Sequence, residues 1–247
     1  MYPNWLQSRI ISSDVLKNKF LKISFSQDGE DDFIRSFFWD QILSGYKGTY
    51  VDIGCYDESL YSNTKLLSLL GWSGVAVDAN PDTIRTWTQK RPDDIFINTA
   101  IKASNESDSS VSLFRFKDGA LNTINIKTAK SLIHRGMPFT DKVIIQAMSL
   151  KELSLKIKQQ YTKNPDFVNI DIEFVDYLDE LPEFLQILGR PKLICLEMVS
   201  TNITIGNFKL SREYSVLTEA NYKVIGIVGK NFFVTSETPH PTQDLKI

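Results

Sequence analysis

The sequence predicts an α/β fold with a mainly parallel sheet and helices on both faces. The main evidence is the segment 48–81, which follows a strand–turn–helix–strand pattern. An apolar run at Thr49–Ile53 is followed by leucines at helical intervals in Tyr61–Leu70 and by a second apolar run at Gly74–Ala79. A β-α-β unit of this size requires two parallel strands joined by a right-handed crossover.

The C-terminal part of the chain supplies the second observation. Tyr222–Val228 and Asn231–Thr235 have strand composition, and Gly229-Lys230 between them predicts a tight hairpin. The sheet is therefore expected to be parallel except for a closing antiparallel hairpin.

The remaining elements alternate between helix and strand, as expected for this class. Ser149 begins one helix, and Glu152 three residues later completes a capping-box pattern. The segment Lys117–Lys142 has only weak periodicity, and we expect a binding loop or lid there. The other expected helices are Gln27–Leu43, Asp82–Lys90, Ser149–Tyr161, Val175–Leu188 and Ser211–Asn221, and the other expected strands are Ile95–Ala100, Val111–Phe116, Val143–Met148, Phe167–Ile172 and Lys192–Met198.

Composition excludes several functional classes. The 247 residues fit one large domain, with 42% hydrophobic residues, 23% charged residues and a formal net charge of −2. This charge gives no reason to expect nucleic-acid binding, and we expect no membrane span and a cytoplasmic protein. The two cysteines, Cys55 and Cys195, lie near the ends of predicted central strands, where a disulfide between them is not expected.

Two acidic residues mark the predicted ligand site. Asp52 and Asp78 lie at the carboxyl ends of neighbouring parallel strands, the edge where open α/β sheets bind ligands. The turn at Gly54 is expected to bring backbone N–H groups close to a nucleoside, and the second carboxylate to accept hydrogen bonds from two ribose hydroxyls. We interpret this nucleoside as S-adenosylmethionine.

A dinucleotide site is the main alternative for this unit. It expects G-x-G-x-x-G, whereas Gly54 is followed by Cys55-Tyr56-Asp57-Glu58 with no second glycine. The carboxylates of Asp57 and Glu58 are expected to repel a diphosphate and to tolerate a sulfonium. A β-α-β unit with an acidic turn and no ligand is the remaining alternative.

A second acidic group follows the fourth and fifth strands of the main sheet. Asp171 and Glu173 point the same way because they are two residues apart on a strand, and Glu197 ends the next strand. Paired buried carboxylates are costly unless a cation or several donors satisfy them. The candidate partners are the cofactor's ammonium and sulfonium, an acceptor hydroxyl, or Mg²⁺, which prefers oxygen ligands. Capping of the next helix is the structural alternative, and no metal is assigned.

Two further residues have an open assignment. The Asn98 amide, at the end of the third strand, either reads the adenine edge or closes a turn. His134 is the only histidine outside the C-terminal tail, and it is either an alternative catalytic base or a surface residue.

Several motifs occur in an order that resembles the FkbM family of methyltransferases. The resemblance runs from about Ser26 to Glu197. The motifs are Ser26-Gln27-Asp28-Gly29-Glu30-Asp31, Tyr50-Val51-Asp52-Ile53-Gly54, Ser62-Asn63-Thr64, Gly71-Trp72-Ser73-Gly74, Val77-Asp78-Ala79-Asn80-Pro81, Val168-Asn169-Ile170-Asp171-Ile172-Glu173 and Arg190-Pro191-Lys192 with Glu197.

This resemblance implies a Rossmann-like class I methyltransferase fold with a seven-stranded sheet, and O-methylation of a hydroxyl on a sugar, glycan or natural product. It implies cofactor contacts for Gln27, Glu30, Asn63 and Ala79, beside Asp52, Gly54, Asp78, Asn98 and Asp171. We expect Asp171 to orient the acceptor and accept its proton, assisted by Glu173 or Glu197.

The expected organisation is an N-terminal extension over 1–26, a methyltransferase domain over 27–235 with an acceptor-capping insertion at 117–142, and a tail over 236–247. A homodimer is compatible with this organisation. Two positions depart from the family pattern, Phe174 and Glu58, where glycine is usual. A catalytically weak binding or scaffold subunit and a nicotinamide-dependent oxidoreductase therefore stay as alternatives.

Overall fold

The computed structural model describes residues 22–104, 106–172, 176–198 and 208–236. Apolar runs with β-branched residues form the strands, most of them short and buried. In chain order the strands are β1 Thr49–Ile53, β2 Ser73–Asp78, β3 Ile95–Asn98, β4 Ala100–Ile101, β5 Ser110–Phe116, β6 Phe139–Met148, β7 Phe167–Ile170, β8 Leu193–Glu197, β9 Lys223–Val228 and β10 Asn231–Thr235.

The helices in the described residues are mostly short. Ser149 caps one of them with the predicted capping box, in which Glu152 bonds back to the Ser149 N–H. In chain order they are α1 Glu30–Phe37, α2 Trp39–Leu43, α3 Lys65–Leu69, α4 Thr83–Lys90, α5 Ile126–His134, α6 Leu150–Gln160, α7 Leu181–Ile187 and α8 Arg212–Glu219, with 3₁₀ turns at Gly119–Leu121 and Asp176–Asp179.

The main sheet has seven strands in the order β3-β2-β1-β7-β8-β10-β9. Every neighbouring pair is parallel except that β10 runs antiparallel to both β8 and β9. The mainly parallel sheet and its closing antiparallel hairpin are therefore confirmed. The carboxyl ends of β1, β2, β7 and β8 meet at one edge.

Helices cover both faces of this sheet, as predicted. On one face Val51, Val168 and Ile194 pack with α6, α7 and α8 in the larger hydrophobic core. On the other face Tyr50 and Phe167 pack with α1 in a second core. The two cores follow the alternation of side chains along each strand.

The segment 117–142 is more ordered than we expected. It contains the 3₁₀ turn, the whole of α5 and the start of β6. The Asn125 side chain accepts hydrogen bonds from the N–H groups of Lys127 and Thr128, so it caps α5. Ala129 and Leu132 bury one face of the helix against Phe116. The strands on either side pair in a separate three-stranded sheet, β4-β6-β5.

Three helix predictions were too long. The crossover helix begins at Lys65 rather than Tyr61, because Tyr61 has φ +57° and the next three side chains bond elsewhere. The first predicted helix divides into α1 and α2 at Phe38, whose conformation is not helical. The prediction Val175–Leu188 is replaced by a 3₁₀ turn and α7, with residues 173–175 outside the described residues.

Within the described ranges, none of the helices has the length and apolar character needed to cross a lipid bilayer.

Candidate cofactor and acceptor site

Four partly exposed residues lie where the central parallel strands end. They are Gly54 after β1, Asp78 at the end of β2, Asp171 after β7 and Glu197 at the end of β8. Because β2, β1, β7 and β8 are consecutive in the sheet, the Gly54 turn separates Asp78 from the other two acids. This arrangement brings the two predicted acidic groups to one edge.

The close approach of β1 and β7 requires glycine at position 54. Its φ is +80°, and a Cβ there would lie only 1.9 Å from the backbone oxygen of Asp171. The Asp171 N–H in turn donates to the oxygen of Ile53 at 2.9 Å. The glycine therefore allows the ends of β1 and β7 to approach closely.

The backbone N–H groups of this turn are used within the protein. Those of Gly54 and Cys55 donate to the Val77 oxygen at 2.9 and 3.2 Å. The Tyr56 N–H donates to Asp78 Oδ2 at 2.9 Å. Our expectation that the turn offers its N–H groups to the ligand is wrong for these three residues. They fix β2 and its terminal carboxylate instead.

Backbone N–H groups hold the Asp78 carboxylate in place. Its second oxygen accepts the Asn80 N–H at 2.7 Å, so one backbone donor holds each oxygen. An ionised carboxylate has about four acceptor positions, and two of them remain for ligand hydroxyls. Burial, and to a smaller extent the charge of Asp52, raise the pKa of Asp78, while the two backbone N–H groups lower it.

Both acids of the turn have partners within the protein, and Glu58 does not face the ligand edge as we expected. The Glu58 side chain is buried and forms an ion pair with Lys90 at the end of α4. Asp57 Oδ1 accepts the N–H groups of Ser59 and Leu60 at 2.9 and 2.8 Å. Repulsion by Glu58 therefore does not explain why a diphosphate would be excluded.

Asp52 is buried one residue before the end of β1, and its side chain is not exposed at the edge. It is 1% exposed and accepts the Thr64 hydroxyl at 2.5 Å and the Asn169 amide at 2.9 Å. The Asn169 oxygen accepts the amide of Asn63 at 2.9 Å. Asp52 and Asn63, both predicted to contact the cofactor, thus hold the loop 57–64 to the strands.

The buried Arg91 side chain holds the same loop through hydrogen bonds. It is 2% exposed, and its guanidinium donates to Thr64 Oγ1 at 2.8 Å, to Ser62 Oγ at 2.7 Å and to the Glu58 oxygen at 2.9 Å. Burial raises the pKa of Asp52, whereas Thr64, Asn169 and the charge of Arg91 lower it. The arginine thus balances part of the cost of a buried carboxylate.

The N-terminal acidic motif joins this polar layer from α1. Glu30 is 1% exposed, and its carboxylate accepts the Asn231 amide at 2.9 Å and the Asp28 N–H at 2.8 Å. Asn231 lies opposite Glu197 in the sheet register. Gln27, by contrast, is exposed. Glu30 therefore connects the motif to the β10 side of the site.

Four acidic side chains act on the buried Cys195 thiol of β8. Burial is the main reason why the pKa of the Cys195 thiol is raised, and the carboxylates of Glu30, Asp171, Asp52 and Glu197 raise it further. These four acids come from different elements of the chain. A cationic ligand at the edge would be favoured by this field.

The remaining predicted residues are distributed as follows. The Asn98 amide nitrogen donates to the oxygens of Asp78 and Ala79 at 2.8 and 3.1 Å, so its donor side closes the turn after β2. His134 lies at the exposed C-terminal end of α5. Glu173 and Phe174 lie outside the described residues. Among the residues that the structure describes, no three His, Cys, Asp or Glu side chains form a metal-binding group.

Sequence reasoning missed four residues that build this region. Asn169 interrupts the apolar strand β7 and Asn231 begins β10, and a polar side chain at a buried strand position predicts a hydrogen-bonded partner. The role of Arg91 in the loop was not visible locally, because the loop residues that accept its hydrogen bonds lie 27 to 33 positions away. Tyr56 occupies a position with φ +51°, which the sequence does not reveal.

Comparisons with known proteins give only distant likenesses. No protein-family model and no curated protein matches the chain. Among solved structures, monomeric WbdD has 13% identity and a TM-score of 0.46, covering 95% of this chain and 48% of its own. The chain thus spans about half the length of WbdD.

Two further structures are similar over most of both chains. A TehB-like SAM-dependent methyltransferase from Corynebacterium glutamicum has 11% identity and a TM-score of 0.42, covering 94% of each chain. The 1,6-didemethyltoxoflavin-N1-methyltransferase of Burkholderia thailandensis has 10% identity and a TM-score of 0.43, covering 95% of this chain and 89% of its own. All three likenesses are weak, so the fold is assigned from the strand order and the closing hairpin. The chain has the class I methyltransferase fold. Its FkbM resemblance stays a prediction.

Proposed function

We propose that the chain is an S-adenosylmethionine-dependent O-methyltransferase. The observation that carries the proposal is the placement of Asp78, which is held by two backbone N–H groups at the tip of β2 and retains acceptor positions for two ribose hydroxyls. Asp171 and Glu197 lie on the other side of the Gly54 turn, where a sulfonium and an ammonium would meet negative charge.

The cofactor contacts are proposed from this edge. Asp78 would bind the ribose, Ala79 and the Asn98 amide oxygen would face the adenine, and Asp171 would bind the ammonium. Glu30, Asp52 and Asn63 would act from the buried layer by holding these contacts in place. When bound, S-adenosylmethionine supplies an electrophilic methyl group.

The protein's own task is then to position an acceptor and remove its proton. Methyl transfer is an in-line displacement, so alignment of the acceptor oxygen supplies much of the rate. We assign this alignment and the proton acceptance to Asp171, assisted by Glu197 or Glu173. His134 is the alternative base.

The acceptor is proposed from the family resemblance, which implies a hydroxyl of a sugar, glycan or natural product. The segment 117–142 is proposed to cover it. Support comes from Gly119 in this segment, which lies against the ring of Tyr56 in the turn after β1.

A nicotinamide-dependent oxidoreductase is the second candidate, and two observations disfavour it. A pyrophosphate is normally held by free N–H groups at a helix N-terminus directly after the first strand. Here the N–H groups of residues 54–56 are bonded to β2, and α3 begins only at Lys65. The alternative of a binding subunit without efficient turnover can be distinguished from an active methyltransferase only by measuring methyl transfer.

The test is methyl transfer from S-adenosylmethionine labelled in the methyl group to a panel of hydroxylated sugars and natural products. We expect a labelled ether product with the wild-type protein. Because Asp171 is also proposed to bind the ammonium, Asp171→Asn should bind S-adenosylhomocysteine more weakly, and at saturating cofactor it should lose transfer by about 10²- to 10⁴-fold, as expected for removal of a general base. Asp179→Asn, which changes an exposed acid paired with Arg212, is the control and should keep full activity.

A fully active Asp171→Asn protein would remove Asp171 from the mechanism. Cofactor binding without transfer to any acceptor would favour the binding subunit.

A further inference from the structure

Tyr56 connects the cofactor edge to the segment 117–142. Its N–H donates to Asp78 Oδ2 at 2.9 Å, and its oxygen accepts the Thr83 hydroxyl at 3.1 Å. Its backbone is thereby fixed between the end of β2 and the start of α4. Its ring is partly buried on the other side of the turn, where it lies against Gly119.

The contact with Gly119 is close. A Cβ at that position would lie 3.1 Å from Tyr56 Cε2 and 3.9 Å from the Tyr56 hydroxyl oxygen. Burial, Asp118, Asp57 and Tyr61 raise the pKa of the Tyr56 hydroxyl, while the backbone of Ala120 lowers it. The Tyr56 ring therefore lies between Tyr61 of its own loop and Gly119 of the 3₁₀ turn.

Tyr56 has an unusual backbone conformation for a residue with a side chain. Tyr56 has φ +51°, a left-handed conformation in which glycine is normally preferred. Tyr61, in the same loop, has φ +57°, and the two rings lie nearly parallel with centroids 6.3 Å apart. Strained non-glycine conformations persist where the surrounding structure fixes them, and they cluster at functional sites.

We propose that Tyr56 is a positioning residue that couples occupancy of the cofactor site to the placement of the segment 117–142 over it. This inference rests on the proposed function. A ligand that hydrogen-bonds to Asp78 steadies the carboxylate and hence the Tyr56 peptide, and the ring transmits this order to Gly119. Binding of the cofactor would then prepare the surface that receives the acceptor.

Hydrogen–deuterium exchange with S-adenosylhomocysteine as the probe tests this coupling in the 247-residue chain. In the wild-type protein we expect the ligand to slow exchange of residues 119–125 by at least threefold. Tyr56→Gly removes the ring, keeps the N–H that binds Asp78 and fits a positive φ; its exchange is compared with that of the wild type at probe concentrations that saturate each protein, as determined by calorimetry. Its exchange at residues 119–125 should be faster without ligand and unchanged by ligand.

Two further variants make the result specific. Tyr56→Phe retains the ring and should restore the ligand-dependent protection. Asn221→Gly introduces glycine at a similar positive φ of +61°, just before the outermost strand β9, and it should keep the protection.

The outcomes are separable. Protection that survives in Tyr56→Gly, protection that is equally lost in Asn221→Gly, or a wild-type protein that binds the probe without protection would each overturn the coupling. A wild-type protein that does not bind the probe would overturn the proposed function, and the coupling with it.

Discussion

Replacing Arg91 by methionine tests whether the buried polar layer holds the loop 57–64. The guanidinium donates to Glu58, Ser62 and Thr64 and stacks on the Trp87 ring, with its carbon 4.2 Å from the ring centroid. Methionine fills a similar length without any donor. The substitution therefore removes the hydrogen-bond donor that the Glu58 backbone oxygen and the Ser62 and Thr64 hydroxyls share.

The magnitude follows from the partners that remain. Removing one member of a buried ion pair costs about 3–5 kcal/mol of unfolding free energy. Asp94, 4.0 Å from the guanidinium, keeps donors from Tyr50, Trp87 and the Gly74 N–H, so we expect the lower end of that range. A loss of about 3 kcal/mol corresponds to a decrease in Tm of about 6–12 °C for a chain of this size.

Urea unfolding followed by tryptophan fluorescence measures the change. Arg212→Met is the matched control, because Arg212 pairs with Asp179 at the surface and such a pair contributes about 0.2–1 kcal/mol. An Arg91→Met protein within 1 kcal/mol of wild type, or no less stable than the control, would refute the assignment of Arg91 as the anchor of the loop.

Two other perturbations address the backbone contact and the buried charge. Gly54→Ala and Gly136→Ala both place a methyl group at φ +80°, but only the Gly54 methyl lies 1.9 Å from a carbonyl oxygen. In thermal unfolding, Gly54→Ala should therefore lower the free energy of unfolding by several kcal/mol more than Gly136→Ala. Equal losses in the two variants would contradict the close approach of β1 and β7. Burial raises the pKa of Asp52 in the folded protein above its usual value of 3.8. The protonated Asp52 side chain therefore contributes most to the free energy of unfolding below about pH 3.8, and this contribution is lost as the pH rises through the pKa of the folded state. The difference in unfolding free energy between wild type and Asp52→Asn should therefore fall as pH rises, and a difference that grows with pH would be inconsistent with this burial.

The fold was predictable because local and global signals agree. The capping box at Ser149 and Glu152, the apolar runs and the Gly229-Lys230 hairpin each follow from nearby residues, and each is confirmed. The helix α5 was missed although Asn125 is a good N-cap. Its apolar positions cover a narrow face, which made the periodicity look weak.

The candidate site was only partly predictable. Acids at strand ends are visible in the sequence, so Asp78 and Asp171 could be placed at one edge. Which acids face outward depends on partners far along the chain. Asp52 turns inward because Asn169, 117 positions away, lies beside it in the register, and no local pattern contains that information.

Calorimetry with S-adenosylhomocysteine tests the central claim most directly. We predict binding to the wild-type protein and a 10- to 150-fold weaker affinity for Asp78→Asn, since a hydrogen bond to a charged group contributes about 1.5–3 kcal/mol. Asp82→Asn changes an exposed acid four residues away and should bind like wild type. An unchanged affinity in Asp78→Asn, or binding of NAD in place of S-adenosylhomocysteine, would contradict the account.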